Sequence, residues 1–475
     1  MSLELCYLSA QEALALFRSR QLSPVELMQA VIARAEQVEP HLNAFTYTYY
    51  EEALAAAREA EKRYRDGSAR ALEGIPTTIK DESHIAGLPT SNGSRLMQDF
   101  VAEHTTPVVE RLLAAGAIVH ARTATPEFSV CGVTWSDLWG VTRNPWNLAI
   151  TPGGSTGGSS AALAAGSTIL SNGSDIGGSI RIPAAMCGLI GFKAPYGRNP
   201  EDVPWNLEYF NHPGGLARTV GDSILLQNVI SGPHPHDIAS LKPKITLPDT
   251  YDNIEGWRIA YSLDLGYNPI APDVVRNTLA TLDRFRQLGA TVEEVQLNWT
   301  EAVRDAYMHH LGYGSLGVFM QEYGTPEKRP LLTSYARYFL EFSEQVTREQ
   351  ALAAELMAAQ MYSDMSQLFA NYDLFICPTI GSTAVPADLD FSTDTVNIAG
   401  REVNGKSGWF LTYPFNILSR CPVMALPSGL ADNGVPTSIQ LVGPTFEDAV
   451  VYQAAAAYEA AYGPMVSYDH HPSLP

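Results

Sequence analysis

The 475-residue chain is 45% hydrophobic and 17% charged, the balance of a globular protein with a large core. Its formal net charge of −20 argues against nucleic acid as a partner, because phosphate binding needs clustered Lys and Arg, and equally against an anionic membrane surface. The five cysteines (Cys6, Cys131, Cys187, Cys377 and Cys421) are odd in number and lack CxxC spacing, which speaks against a disulfide framework or a zinc site and for a reducing compartment. The first residues show no basic segment followed by an apolar stretch, so no signal peptide is expected and a cytoplasmic location is.

In chain order, the sequence opens on helices. Ser9-x-x-Glu12 is a capping box before Ala13, Leu14 and Leu16, and Ser23-Pro24-Val25-Glu26 is a second, with proline at the first helical position. Leu27, Val31, Ile32 and Ala35 then recur at helical spacing. A third helix, rich in Ala and Glu, is expected over residues 51–64. Gly74-Ile75-Pro76-Thr77-Thr78-Ile79-Lys80-Asp81 reads as a turn running into a short strand that ends on a charged pair. A helix over 108–115 leads to a buried strand over 117–121, and the pattern repeats with a strand at 259–261, a helix at 273–288 and a strand at 290–295. Residues 300–370 read as a mostly helical elaboration, and 374–378 as another buried strand. This alternation predicts an α/β fold whose sheet is covered by helices on its faces. Without repeats or a Gly/Ser linker, residues 1–475 are expected to form one domain.

The informative segment is residues 151–191. From Asn144 to Ser174 there is no charged residue, yet the stretch is rich in Gly, Ser and Pro, which suggests buried backbone near a site rather than a membrane helix. A flexible linker would not carry Ser179-Ile180-Arg181-Ile182 in its midst. A phosphate cradle would need Gly-Lys-Ser/Thr or a GxGxxG opening a βαβ unit, and neither is present. Gly153-Gly154-Ser155-Thr156-Gly157 matches the GxSxG nucleophile elbow, but that elbow needs a strand running straight into it, and Pro145 and Pro152 disfavour one. The remaining reading is an oxyanion site with a serine nucleophile.

The chain resembles the amidase-signature family. The likeness is carried by Gly74-Ile75-Pro76 through Lys80-Asp81, the Gly/Ser segment, Gly191-Phe192-Lys193, His212 to Val220, and Pro422 to Pro427. Lys80, Ser155 and Ser179 stand 75 and 24 residues apart, the family's spacing for its lysine, its cis-serine and its nucleophile. The resemblance implies a large, twisted, mixed β-sheet flanked by helices on both faces, and an amide hydrolase that needs no metal and no cofactor. It implies Lys80, Ser155 and Ser179 as the catalytic triad, a cis Gly154–Ser155 peptide, and an oxyanion hole from the backbone N–H groups of Ile176, Gly177, Gly178 and Ser179. Thr156, Ser174 and the Phe192-Lys193-Ala194-Pro195 run differ slightly from the family's usual residues.

The residues suit that chemistry. A serine hydroxyl attacks an amide carbonyl only with an adjacent base and a site for the developing oxyanion. Lysine is a base only when neutral, which burial among uncharged groups favours. Asp175 and Arg181 are expected to clamp the loop, with Thr156 and Ser174 as structural support and Lys193 as a structural residue. Cys131, Gly132, Trp205 and Trp409 are expected to contact substrate, and aromatic clusters at 196–210, 307–319 and 409–415 to build an apolar pocket for aryl or alkyl amides. Esters, carbamates and hydrazides share the carbonyl chemistry. The expected partner is a small-molecule amide, and a homodimer is common in such folds. The competing functions are a glutaminase subunit of a tRNA-dependent amidotransferase, which needs a charged pocket for glutamine, and a non-catalytic scaffold, which should have lost a triad residue.

Overall fold

The computed structural model describes residues 3–474. Eleven strands form one sheet: β1 (Phe45–Thr48), β2 (Pro76–Lys80), β3 (Ile118–Thr123), β4 (Leu170–Asp175), β5 (Ile190–Lys193), β6 (His212–Ala217), β7 (Arg258–Tyr261), β8 (Thr291–Glu294), β9 (Leu374–Pro378), β10 (Val423–Leu430) and β11 (Pro436–Val442). Their order is β1-β3-β2-β4-β6-β5-β10-β11-β9-β7-β8. The sheet is mixed. β2 runs parallel to both β3 and β4, and β7 runs parallel to both β8 and β9, while the pairs between β4 and β9 are antiparallel. Strands β2, β5, β6, β9 and β11 are buried along their whole length, as strands covered on both faces must be.

The N-terminal helices start where the capping signals place them. Ser9 and Glu12 form a reciprocal capping box at the head of helix Ala10–Ser19, and Ser23 and Glu26 form another at helix Pro24–Leu42. The third helix runs over Tyr50–Asp66, slightly longer than the sequence pattern indicates. Apolar side chains from the first two helices join Ile75, Ile79, Val108 and Leu112 in one cluster on a face of the sheet. Residues 300–370 fold into helices Ala302–Tyr313, Ser315–Gln321, Ser334–Ser343 and Arg348–Phe369, which enclose the largest apolar cluster together with β9 and residues 409–418.

The segment before Ser155 is irregular, and the chain then enters helix Gly157–Ala165, all nine residues of which are buried. No strand feeds Ser155, so the geometry of a nucleophile elbow is absent there. All five cysteines are free and buried. No helix among the described residues is long and apolar enough to cross a membrane.

Candidate active site

β2 delivers Lys80 at its C-terminal end, and β4, its parallel neighbour, ends at Asp175 and opens into the loop carrying Ser179. Crevices beyond the carboxyl ends of parallel strands are where α/β sheets bind ligands. The third element is the segment 151–156, in which the Gly154–Ser155 peptide is cis. The Thr156 N–H donates to the Ser179 carbonyl at 3.2 Å, which ties this segment to the Ser179 loop.

Lys80 is fully buried. Its Nζ lies 2.7 Å from Ser155 Oγ and 3.2 Å from Ser174 Oγ. A third neighbour, Glu82 Oε2, stands 2.9 Å away. Burial lowers the Lys80 pKa from the ordinary lysine value, and the opposing pull of Glu82 and Asp175 does not cancel that shift. The strand is fixed from its backbone too, since the Lys80 N–H donates to Asn172 Oδ1 at 2.8 Å and Asn172 Nδ2 donates to Ser83 Oγ at 2.8 Å.

Ser179 retains 8% exposure and precedes helix Arg181–Cys187. Two glycines before it have no room for a side chain. A Cβ at Gly177 would lie 1.9 Å from the Tyr307 hydroxyl oxygen, and one at Gly178, whose φ is +128°, would lie 2.0 Å from Thr412 Oγ1. Thr412 also donates to the Gly177 carbonyl at 2.6 Å. Below the loop, Arg181 engages Asp175 with two parallel bonds of 2.9 Å, and its remaining N–H groups reach the Thr412 carbonyl, Gln440 and Asn416. The guanidinium is therefore fully satisfied in the interior. Burial works to raise the Asp175 pKa, but Arg181 and Asn416 hold it well below the usual carboxylate range. Asp175 also accepts the backbone N–H groups of Ile180 and Arg181, each at 3.3 Å.

Two cavities meet at Ser179. The first, about 130 Å³, is lined by Ser155, Ser174, Ile176 and Ser179, by Trp205 and Leu316, and by the acidic Glu82, Glu201 and Asp202. The second, about 50 Å³, is lined by Cys131, Gly132, Gly154, Gly177 and Ser179, and by Tyr307, Leu311, Phe339, Phe391 and Phe410.

Lys80, Ser155, Ser174 and Ser179 thus come together, with Ile176, Gly177 and Gly178 on the same loop and Asp175 and Arg181 beneath it. Cys131, Gly132 and Trp205 face the cavities. Trp409 does not: its ring is fully buried, its Nε1 donates to the Gly405 carbonyl at 3.0 Å, and its edge stands behind Gly132, where an added Cβ would come within 3.3 Å. Its neighbour Phe410 lines the second cavity instead. Of the other clustered aromatics, Tyr413 and Phe415 are core residues and Tyr313 is half exposed. Lys193 is fully buried and donates to the Cys421 carbonyl at 2.9 Å, and burial pushes its pKa down to about 7. Sequence reasoning missed Glu82, Thr412, Asn416 and Phe339, whereas Tyr307 stands in one of the expected aromatic clusters and lines the second cavity. For Glu82 a signal existed, because it is a charge two residues beyond Lys80; the others come from distant segments.

A model of the Amidase family matches residues 26–451. An acylamidase from Rhodococcus erythropolis is 32% identical over 461 residues, covering 96% of this chain and 95% of the relative. A glutamyl-tRNA(Gln) amidotransferase subunit from Chloroflexus aggregans is 33% identical over 492 residues, covering 96% of each. The crystal structure of a bacterial aryl acylamidase of the amidase-signature enzymes superposes with a TM-score of 0.91 at 29% identity, covering 99% of both chains.

Proposed function

The chain belongs to the amidase family, hydrolases acting on carbon–nitrogen bonds, and from that premise we propose that it hydrolyses small aryl or alkyl amides through an acyl-enzyme on Ser179. The observation that carries the reading is the contact of 2.7 Å between the buried Lys80 Nζ and Ser155 Oγ, in a cavity that also opens on Ser179.

In this mechanism the Ser179 hydroxyl attacks the substrate carbonyl and passes its proton to Ser155, which passes its own to neutral Lys80. The developing oxyanion is met by the N–H groups of Ile176, Gly177, Gly178 and Ser179, while Asp175 accepts those of Ile180 and Arg181 further along the loop. Each such donor contributes about 3 kcal/mol to the transition state. Collapse of the tetrahedral intermediate breaks the C–N bond, and the proton returns along the same path to the leaving amine. Water then attacks the acyl-enzyme with the relay acting once more as base. The burial that lowers the Lys80 pKa supports this use of lysine.

The apolar cavity of Cys131, Gly132, Tyr307, Phe339, Phe391 and Phe410 favours an aryl or alkyl group on one side of the scissile bond. Esters, carbamates and hydrazides present the same carbonyl and are expected to be cleaved as well. The glutaminase reading is favoured by the resemblance over 96% of the chain to a glutamyl-tRNA(Gln) amidotransferase subunit, and to several further subunits of that kind at similar identity. The largely apolar lining of the second cavity, where Lys406 is the one charged side chain, offers little to the two charged groups of glutamine.

The test is turnover of a panel of aryl amides, esters, carbamates and glutamine, with the wild type beside Ser179→Ala and Ser155→Ala. Aryl-amide turnover abolished in Ser179→Ala and reduced in Ser155→Ala is the expected result. Glutamine as the one substrate turned over would replace the apolar-amide reading with the amidotransferase one. Activity retained in Ser179→Ala and lost in Ser155→Ala would move the nucleophile to Ser155.

A further inference from the structure

Glu82 has no part in the relay described above, yet it makes a direct contact with the lysine. Its carboxylate, 17% exposed, stands 2.9 Å from Lys80 Nζ at the wall of the cavity that holds Ser155 and Ser179. The same oxygen, Oε2, accepts from the Ser129 hydroxyl at 2.6 Å. Ser129 reaches that position through an uncommon backbone. Phe128 and Ser129 are successive non-glycine residues in the left-handed region, with φ of +52° and +60°. Such conformations are unfavourable and persist where the surroundings over-determine them. With its proton on Glu82, Ser129 Oγ is free to accept from the Thr125 hydroxyl at 2.9 Å.

The hydrogen-bond count around Lys80 gives this contact a meaning. An ammonium has three N–H donors, and Ser155, Ser174 and Glu82 supply three acceptors. A neutral amine has two N–H donors and one lone pair. When Glu82 and Ser174 take the two N–H groups, the lone pair is left facing the Ser155 hydroxyl, the direction from which the proton arrives. When the proton arrives, the ammonium that forms lies against a carboxylate.

We propose that Glu82, held by Ser129, is a positioning residue of this active site: it orients the Lys80 amine toward Ser155 and stabilises the ammonium formed as Ser179 attacks. The inference rests on the serine–serine–lysine reading of the site. The proton balance is unchanged by it. The Ser179 O–H bond breaks as the new O–C bond forms, its proton moves to Ser155 Oγ, the Ser155 proton moves to Lys80 Nζ, and Glu82 remains a carboxylate throughout. Other charged groups bear on the pair. Asp175 faces Lys80 from β4 but is matched by Arg181. Asp81, next in the chain, faces Arg122 at 3.6 Å. Glu201, Asp202, His84 and His104 line the same cavity as Glu82, and burial pushes Glu201 up to about 8, so it adds little negative charge at neutral pH. That leaves Glu82 as the carboxylate in direct contact with the lysine.

The test measures the rate at which a fluorophosphonate phosphonylates Ser179 as a function of pH, a reaction that needs the activated serine and no knowledge of the substrate. It compares the wild type with Glu82→Gln and Ser129→Ala. A carboxylate in contact favours the charged lysine, so its loss lowers the pH at which Lys80 becomes neutral. In Glu82→Gln the acid limb is therefore expected to move to lower pH by about one to three units, with a lower plateau rate because the ammonium is no longer matched. Ser129→Ala is expected to shift the limb in the same direction by less, and decides the matter alone if Glu82→Gln does not fold. An acid limb that stays in place, or moves to higher pH, overturns the inference. A wild type that is not labelled at all overturns the serine reading itself, and this one with it.

Discussion

Strands β2, β4 and β6 carry Thr77, Thr78, Lys80, Ser171, Asn172, Asp175 and His212 into the interior, whereas β9, β10 and β11 fill theirs chiefly with Phe375, Ile376, Met424, Leu426, Ile439 and Leu441, with Ser428, Thr437, Ser438 and Gln440 as their buried polar residues. Both parts belong to one sheet. In the apolar part, burial is favourable residue by residue, through surface removed from water. In the polar part burial depends on specific partners: Thr78 Oγ1 donates to Ser171 Oγ at 2.9 Å, the Lys80 N–H to Asn172, and Arg181 directs every donor to Asp175, Asn416, Gln440 and Thr412, while the two ring nitrogens of His212 are buried without a partner. The apolar part is a foundation that tolerates replacement by similar volumes. The polar part positions lysine and serine atoms with bonds that a conservative change can break.

The comparison can be broken or sharpened by substitution. The largest effect is expected at Ser179→Ala, which should lower kcat by about a million-fold, as loss of a serine nucleophile does elsewhere, while the thermal midpoint stays near that of the wild type. Calorimetry beside the activity assay checks both halves of that statement. Next comes Asp175→Asn, which leaves the Arg181 charge buried with a neutral partner and should cost about 3–5 kcal/mol of stability in denaturant unfolding. This loss has a pH signature. The folded Asp175 has a pKa below its unfolded value near 3.9, so its contribution is fully present above that pH and is lost as pH falls through the folded value. The stability gap between Asp175→Asn and the wild type should therefore be constant through neutral pH and shrink only in strong acid.

On the apolar side, Leu441→Ala should cost about 2–5 kcal/mol and leave the pH profile of activity unchanged, because a cavity there removes packing and no polar partner. The smallest expected effect is Thr78→Val, which removes one buried hydroxyl bond and should cost about 1–3 kcal/mol. If Leu441→Ala shifted the pH profile as far as a change in the polar strands does, the division between foundation and site would fail.

The same division decided what the sequence revealed. Leu374–Pro378 was legible as a strand to the residue, because an unbroken apolar run has one reading there. Helix starts were legible from Ser9 and Ser23, whose capping boxes are local. Lys80, Ser155 and Ser179 were legible from spacing and resemblance. Leu170–Asp175 and His212–Ala217 were not legible as strands, since Leu-Ser-Asn-Gly-Ser-Asp and His-Pro-Gly-Gly-Leu-Ala have neither alternation nor β-propensity, and their pairing is set by buried hydrogen bonds. Helix Gly157–Ala165 was hidden for a similar reason: Gly-Gly-Ser-Ser reads as loop until the surrounding segments bury it on all sides. The expected role of Trp409 shows the limit of reading aromatic clusters, because adjacent residues such as Trp409 and Phe410 point to the core and the cavity respectively, and only packing says which. Phe339 reaches the site from the helical elaboration, more than a hundred residues from the Ser179 loop, and no local pattern marks it.

The central claim, that Ser179 forms the covalent intermediate while Ser155 only relays the proton, is tested most directly by mass spectrometry of protein quenched in acid during turnover of an aryl ester. The account predicts an adduct equal to the acyl group on the peptide carrying Ser179, and none in Ser179→Ala. An adduct on the peptide carrying Ser155, or rapid turnover with no adduct at any time point, would contradict it.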